Sequence, residues 1–170
     1  EVGTNISTVV YTAEATDNSG SVTYSIINTT DFTINSTTGA LTFNAAPVYA
    51  TKQTYTRTIT ATDAAGNTAT QNLTVNITDT TAPVFDEGST HSVSVAEGTT
   101  TSFYTVKATD NSGASPTFTL GGTDDDLFDL TEDGKLTFKA APSYTAGGSN
   151  QKTVIITATD AAGNTSDQAL

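Results

Sequence analysis

The sequence of 170 residues contains no cysteine and a single histidine. Disulfides therefore cannot stabilise the fold, and thiol catalysis and thiolate metal sites are excluded. His91 has no second imidazole or thiolate to complete a zinc site, and it precedes a strand-like segment without a nucleophile elbow. No apolar run approaches the roughly 20 residues that a membrane-spanning helix needs, so we expect no membrane insertion. These absences leave no recognisable catalytic constellation, and we expect that the chain is not an enzyme.

Basic residues are also scarce, with 6 Lys and Arg against 18 Asp and Glu and a net charge of −12. This balance argues against nucleic acid or an anionic membrane surface as a partner and makes cations the natural ones. The densest acidic run combines residues 124–126 with Asp129, Glu132 and Asp133. Its spacing matches no known calcium loop, which favours a solvated loop over a metal site.

Two copies of one unit can be aligned along the chain in a single order. Residues 15–20 recur as 108–113, 39–43 as 134–138, 46–49 as 141–144, and 59–68 as 156–165. We therefore predict two domains, residues 1–82 and 83–170, joined at Pro83, whose fixed ring makes the linker stiff. The copies are cut at different points. We expect the first to lack its first strand, the second to be truncated in its last, and the chain to be a window on a longer array.

Hydrophobic residues alternate with polar ones. Leu73, Val75 and Ile77 are separated by Thr and Asn, and residues 154–158 repeat the pattern. A period of two is typical of a strand with one wet face, whereas no stretch has helical periodicity. Asn-Ser-Gly, Thr-Gly and Ala-Gly-Asn supply turns at short intervals. The pattern predicts an all-β sandwich of about seven strands in each copy.

Five short motifs in order carry a family resemblance. They are Glu97-Gly98, Ala108-Thr109-Asp110-Asn111, Leu127-Phe128-Asp129-Leu130, Gly134-Lys135-Leu136 and Thr157-Ala158-Thr159-Asp160. Together they resemble the bacterial cadherin-like repeats of large cell-surface adhesins, which are close in shape to immunoglobulin-like repeats. The resemblance implies two tandem Greek-key cadherin-like or Ig-like β-sandwich domains, with Tyr104 and Phe128 as core aromatic residues.

The resemblance also implies Ca²⁺ held by carboxylates between successive domains, since Ca²⁺ prefers oxygen ligands. For the central junction it points to Asp110, Asp160, the linker residue Asp79 and Glu1; for a preceding junction to Asp17 and Asp63; and for a following one to Glu97. The segments 47–50 and 142–145 lack the acidic pair that the family carries there. One Ca²⁺ per junction, or none, is therefore expected instead of a multi-ion cluster.

Two functions of different classes follow. The first is an extracellular spacer or adhesion module on a bacterial cell surface or in biofilm, rigidified by Ca²⁺, with neighbouring repeats and homophilic contacts as partners. The alternative is a module that binds surface carbohydrate or protein, with Tyr49 or Tyr144 stacking on a sugar. Both tyrosines follow a proline at the same repeat position, so a shared packing role explains them equally well.

Overall fold

The computed structural model describes residues 8–18 and 20–170. The chain separates into two compact units, Glu1–Asp79 and Thr80–Leu170. Within the described ranges the only helical element is a three-residue 3₁₀ turn at Asp125–Leu127, which confirms the all-β prediction. No helix in this part of the chain is long and apolar enough to cross a membrane.

The described part of the first unit contains six strands. They are β1 Val9–Thr12, β2 Val22–Ile26, β3 Phe32–Ile34, β4 Ala40–Phe43, β5 Thr54–Asp63 and β6 Thr68–Asn76. Two antiparallel sheets form, in the orders β1-β4-β3 and β2-β5-β6. Leu73, Val75 and Ile77 turn toward the core while Thr74 and Asn76 are exposed, as their alternation predicts.

The core of the first unit is aromatic. Phe32 lies opposite Phe43 in the β3–β4 register, with their ring centroids 4.3 Å apart. Tyr55 meets both rings edge-on at 5.6 and 5.2 Å. Leu41 is completely buried beside them. Such edge-to-face pairs add about 0.5–1.5 kcal/mol each beyond the burial of their apolar area.

The second unit contains eight strands. They are β7 Val84–Phe85, β8 Tyr104–Thr105, β9 Ala108–Thr109, β10 Thr117–Gly121, β11 Phe128–Leu130, β12 Lys135–Phe138, β13 Ile155–Thr159 and β14 Thr165–Ala169. Their antiparallel sheets have the orders β10-β13-β14, β11-β12-β8 and β7-β9. Phe128 pairs with Phe138 as Phe32 does with Phe43, so the two units share one register.

One turn in each unit requires glycine. Gly39 and Gly134 precede β4 and β12 with φ angles of 71° and 81°. A Cβ atom at Gly39 would collide with the carbonyl oxygen of Ala13, and one at Gly134 with that of Val106. A left-handed backbone in close contact with another backbone segment can be adopted without strain only by glycine.

The core of the second unit has two clusters, one around Phe85 and Ile156 and one around Phe128 and Leu136. Phe128 is 5% exposed, which confirms its predicted place in the core. Tyr104 is only partly buried. Its hydroxyl lies within hydrogen-bond distance of both Gln168 Oε1, at 2.8 Å, and Glu87 Oε2, at 2.9 Å, and donates its single proton to one of them at a time. Burial, followed by the neighbouring Glu87, raises the pKa of Tyr104 to about 12.

Candidate metal centre

Asp160 follows β13 directly and begins the turn into β14. Its Oδ1 accepts hydrogen bonds from the backbone N–H groups of Ala162 and Asn164, both at 2.8 Å, and its Oδ2 accepts one from Asn164 Nδ2 at 2.7 Å. Burial alone raises the pKa of Asp160, but the side-chain and backbone hydrogen bonds of Asn164, with those of Ala162 and Gly163, lower it overall. Asp160 is only 8% exposed, and at neutral pH it is an oriented anion.

Asp110 follows β9 in the same way. Its Oδ1 accepts from Ser112 N at 2.9 Å, while its Oδ2 is buried without a hydrogen-bond partner. Asn111 Oδ1 is also buried without a partner. A buried acceptor that receives no hydrogen bond costs about 1–3 kcal/mol. Two such acceptors on adjacent residues therefore favour a bound cation.

Strand pairing explains why Asp79 approaches these residues. β7 runs antiparallel to β9 with Val84 opposite Thr109, so the segment entering β7 lies beside the residue that leaves β9. Pro83 is anchored there because its carbonyl oxygen accepts from Ser166 Oγ at 2.6 Å. Asp79 lies four residues before Pro83 and is buried, with an exposed fraction of 9%.

Asp79, Asp110 and Asp160 each offer one carboxylate oxygen, and these oxygens all lie within 4.8 Å of one another. Oxygens that share a Ca²⁺ at 2.3–2.6 Å can be at most about 5 Å apart, so the spacing fits one ion. Three carboxylates this close repel one another strongly unless a cation or a proton compensates them. The donor set, which contains only oxygens, suits Ca²⁺ rather than a transition metal.

Asp17 and Asp63 occupy the equivalent turns of the first unit. Asp63 accepts from Asn67 N at 2.8 Å and from Asn67 Nδ2 at 2.7 Å, as Asp160 does from Asn164. Hydrogen bonds from Asn67 lower the pKa of Asp63, while the nearby charge of Asp17 acts in the opposite direction. Among the described residues no third carboxylate joins this pair within metal-binding distance. Glu1 lies outside the described residues.

The remaining acidic candidates take other contacts. Glu97 is exposed, and its Oε2 accepts from Tyr144 N at 3.3 Å. In the acidic run, Asp124 accepts from Thr153 N at 2.9 Å and Asp133 pairs with Lys135 at 2.6 Å. Within the described ranges neither Glu97 nor the run belongs to a group of three side chains whose ligand atoms lie as close together as those of Asp79, Asp110 and Asp160.

Asn111 is a candidate ligand that the sequence did not predict. It belongs to the Ala108-Thr109-Asp110-Asn111 motif, but only its burial without a hydrogen-bond partner draws attention to its Oδ1. The sequence signal was its place directly after Asp110.

No protein-family model and no curated protein matches the chain. Among solved structures it is similar to mouse cadherin-23 EC22–24, with 22% identity and a TM-score of 0.54. It is also similar to human protocadherin-24 EC1–2, with 19% identity and a TM-score of 0.56, and to the protocadherin gammaB7 EC3–6 cis-dimer, with 20% and 0.51. The fold is cadherin-like. The alignments cover 95%, 97% and 91% of this chain and 56%, 85% and 40% of those chains, so it spans about half of the cadherin-23 fragment.

Proposed function

We propose that this cadherin-like chain is an extracellular tandem-repeat spacer and adhesion module of a bacterial cell-surface protein, stiffened by one Ca²⁺ held by Asp79, Asp110 and Asp160. The convergence of these three carboxylates within 4.8 Å is the observation that carries the proposal. The cadherin-like fold supports a role in adhesion rather than catalysis. The lack of cysteine suits an exported surface protein.

The mechanism is electrostatic. Without an ion, the charges of Asp79, Asp110 and Asp160 repel, and the linker residue Asp79 is pushed away from the other two. A divalent cation turns this repulsion into attraction and ties the linker to the second unit. Asn164 keeps Asp160 ionised and oriented for this purpose, and the orphaned Asn111 Oδ1 would supply a neutral oxygen.

Thermal unfolding with and without Ca²⁺ tests the proposal. A ligand that binds only the native state at about 100 times its Kd stabilises it by about 2.7 kcal/mol. For a unit of this size we expect a rise in Tm on the order of 10 °C over a sample in excess chelator. Asp110→Asn and Asp160→Asn should each abolish the rise.

Asp129→Asn is the matched control, because Asp129 is an exposed aspartate of the same unit outside the cluster. This variant should keep the full Ca²⁺ effect, and NaCl at equal ionic strength should not reproduce the effect in the wild-type protein. Identical unfolding in Ca²⁺ and chelator would disprove the metal centre and leave a metal-free spacer.

Neighbouring repeats and a second copy of the chain are the partners that we propose. The relative solved as a cis-dimer gives a precedent in the same fold. Sedimentation velocity in Ca²⁺ and in chelator would detect self-association, and a monomer at all concentrations would restrict the module to a spacer.

Carbohydrate binding is the second candidate. Its support is Tyr144, which is 67% exposed, whereas Tyr49 at the matching position is partly buried. Exposed aromatic rings stack on the apolar faces of sugars. Glycan-array binding that disappears in Tyr144→Ala would favour this function, and an array without any bound glycan would remove it.

A further inference from the structure

The outer face of the sheet β2-β5-β6 in the first unit is a regular array of hydroxyl and amide side chains. On this face β5 contributes threonine at positions 54, 56, 58, 60 and 62, and β6 contributes threonine or asparagine at every second position from 68 to 76. The pairing aligns these positions, so that Thr60 has Ser25 of β2 on one side and Thr70 of β6 on the other. Thr58 Oγ1 donates to Asn72 Oδ1 at 2.8 Å, which links two neighbouring strands.

This outer face carries no charge at any of its described positions. The chain has a net charge of −12, so two copies repel each other wherever their carboxylates come together. Arg57 of β5 turns to the core instead, where it binds Asp31 and lies over the Phe32 ring. A second copy can therefore approach the outer face without bringing like charges together.

Ile27 gives the outer face an apolar anchor. It is 81% exposed, the highest value among the large hydrophobic side chains of the described residues. β2 ends one residue earlier with Ile26 opposite Ile59, so the alternation of the strand directs Ile27 outward at the level of Thr58. The γ-methyl groups of the outward threonines add apolar area on the same side. Protein interfaces place such an apolar anchor within a polar surrounding.

The turn after Ile27 holds it in place. Asn28 has a φ angle of 67°, and its Oδ1 accepts a hydrogen bond from Thr30 N at 3.1 Å. Asn44 Nδ2 donates to the Thr30 carbonyl oxygen, also at 3.1 Å. A second molecule that binds Ile27 therefore has little backbone freedom to remove, which lowers the entropic cost of binding.

The second unit does not repeat this face. By the register of the shared strands, Gly121 takes the position of Ile27, and Asp167 takes that of Thr70. The anchor is absent there, and a charge is present. The comparison also supplies two substitutions that the fold accepts, because each gives the first unit a residue that the second unit already carries.

We propose that the outer face of β2-β5-β6, with Ile27 as its anchor, binds the same face of a second copy of this chain. This inference rests on the self-association proposed above and names the surface that carries it. Two sheets that stack face to face lie about 10 Å apart with their side chains interdigitated. In a two-fold arrangement, Ile27 of each copy packs among the threonine methyl groups of the other.

The size of the outer face predicts a weak dimer. The run from residue 54 to residue 62 is roughly 27 Å long, and three strands about 4.8 Å apart are roughly 15 Å wide. The face therefore offers about 400 Å² per copy, half of the roughly 800 Å² per partner in a standard stable interface. We expect a Kd on the order of 0.1–1 mM. The opposite sheet β1-β4-β3 has strands of only 3 or 4 residues and offers less area.

Sedimentation equilibrium of the whole chain at about 0.05–1 mM tests the proposal, in chelator so that Ca²⁺ plays no part. We expect a reversible dimer. Amide signals of the outward residues in β2, β5 and β6 should shift with concentration, whereas those of β1, β3 and β4 should not. NaCl should strengthen the dimer, because it screens the repulsion between two acidic chains whose contact surface is uncharged.

Thr70→Asp and Ile27→Gly should each weaken the dimer by about tenfold or more. The first brings like charges together across the interface, and the second removes the anchor. Thr12→Asp is the matched control, because it adds the same charge at an exposed position of β1 in the other sheet and should dimerise like wild type. Thermal unfolding verifies that all three variants fold.

A monomer at every concentration would overturn this proposal and the self-association with it, while the effect of Ca²⁺ on Tm would still test the stiffened spacer separately. A dimer that Thr70→Asp and Ile27→Gly leave unchanged, or that NaCl dissociates, would overturn the outer face alone. Self-association would then use another surface.

Discussion

The two units repeat a tyrosine–glutamine pair but bury it to different depths. Tyr11 donates to Gln71 Oε1 at 3.1 Å, and Tyr104 donates to Gln168 Oε1 at 2.8 Å. Gln71 is exposed, whereas Gln168 is completely buried and also donates through Nε2 to the Gly88 carbonyl at 2.8 Å. The segment around Gly88 covers this edge of the second unit. The burial of this pair in the second unit therefore depends on the segment after Gly88, which pairs with Ala169.

A second difference lies inside the sandwich. Arg57, whose side chain is 12% exposed, occupies the position that Val154 fills in the second unit. It binds Asp31 and lies over the Phe32 ring, 5.2 Å from its centroid. Hydrogen bonds, first from Lys52 and then from Arg57, outweigh desolvation and lower the pKa of Asp31. A cation is tolerated at this depth because an anion and an aromatic face accompany it.

The largest expected effect tests what the units share. Leu41→Ala and Leu136→Ala remove two completely buried side chains from matching register positions. Each should destabilise its own unit by about 3 kcal/mol, because the lost contacts leave a cavity. Calorimetry would detect the loss in the transition of the affected unit. Leu127→Ala, at a position 37% exposed, is the control and should cost well under half as much. If the two variants lost very different amounts of stability, the two cores would not be equivalent.

The next expected effect is a difference in stability between variants that lack Gln168 and variants that lack Gln71. Gln168→Ala removes a completely buried side chain together with the donor to the Gly88 carbonyl, and it leaves the Tyr104 hydroxyl only Glu87 as an acceptor. It should cost about 2 kcal/mol. Gln71→Ala, at an exposed position, should cost less than about 0.5 kcal/mol. Urea unfolding at neutral pH measures both values. Equal costs would mean that burial does not determine the value of this contact.

The smallest expected effect is a loss of folding stability at low pH. The pKa values of Asp63 and Asp160 are lowered in the folded state by the hydrogen bonds of Asn67 and Asn164. Their stabilising contribution is complete above the unfolded pKa, about 3.9, and is lost as the pH falls through the lower folded pKa. In chelator, the urea concentration at the unfolding midpoint should therefore decrease as the pH is lowered below about 4. Asp63→Asn and Asp160→Asn should each flatten this dependence by a similar amount, and an unchanged acid profile would contradict the two equivalent turns.

Much of the fold could be predicted from local pattern. The period of two in residues 73–77 identified the strand β6 and its buried face, because successive side chains of a strand point to opposite sides. The repeated segment from Asp160 to Asn164 predicted a turn, because glycine readily adopts a positive φ angle. In the structure Gly163 has a φ angle of 90°.

The sequence by itself determined the two copies, their all-β character and the carboxylate types available for a cation, since periodicity and residue chemistry are local properties. The family resemblance assigned Asp79, Asp110 and Asp160 to one junction, but only the tertiary structure gave the spacing of their oxygens, within 4.8 Å of one another. It also left Asp17 and Asp63 without a third carboxylate among the described residues. It also decided that Gln168 is buried and that Asn111 Oδ1 lacks a donor. The physical reason is that these properties depend on distances between segments remote in sequence, which strand pairing and packing establish.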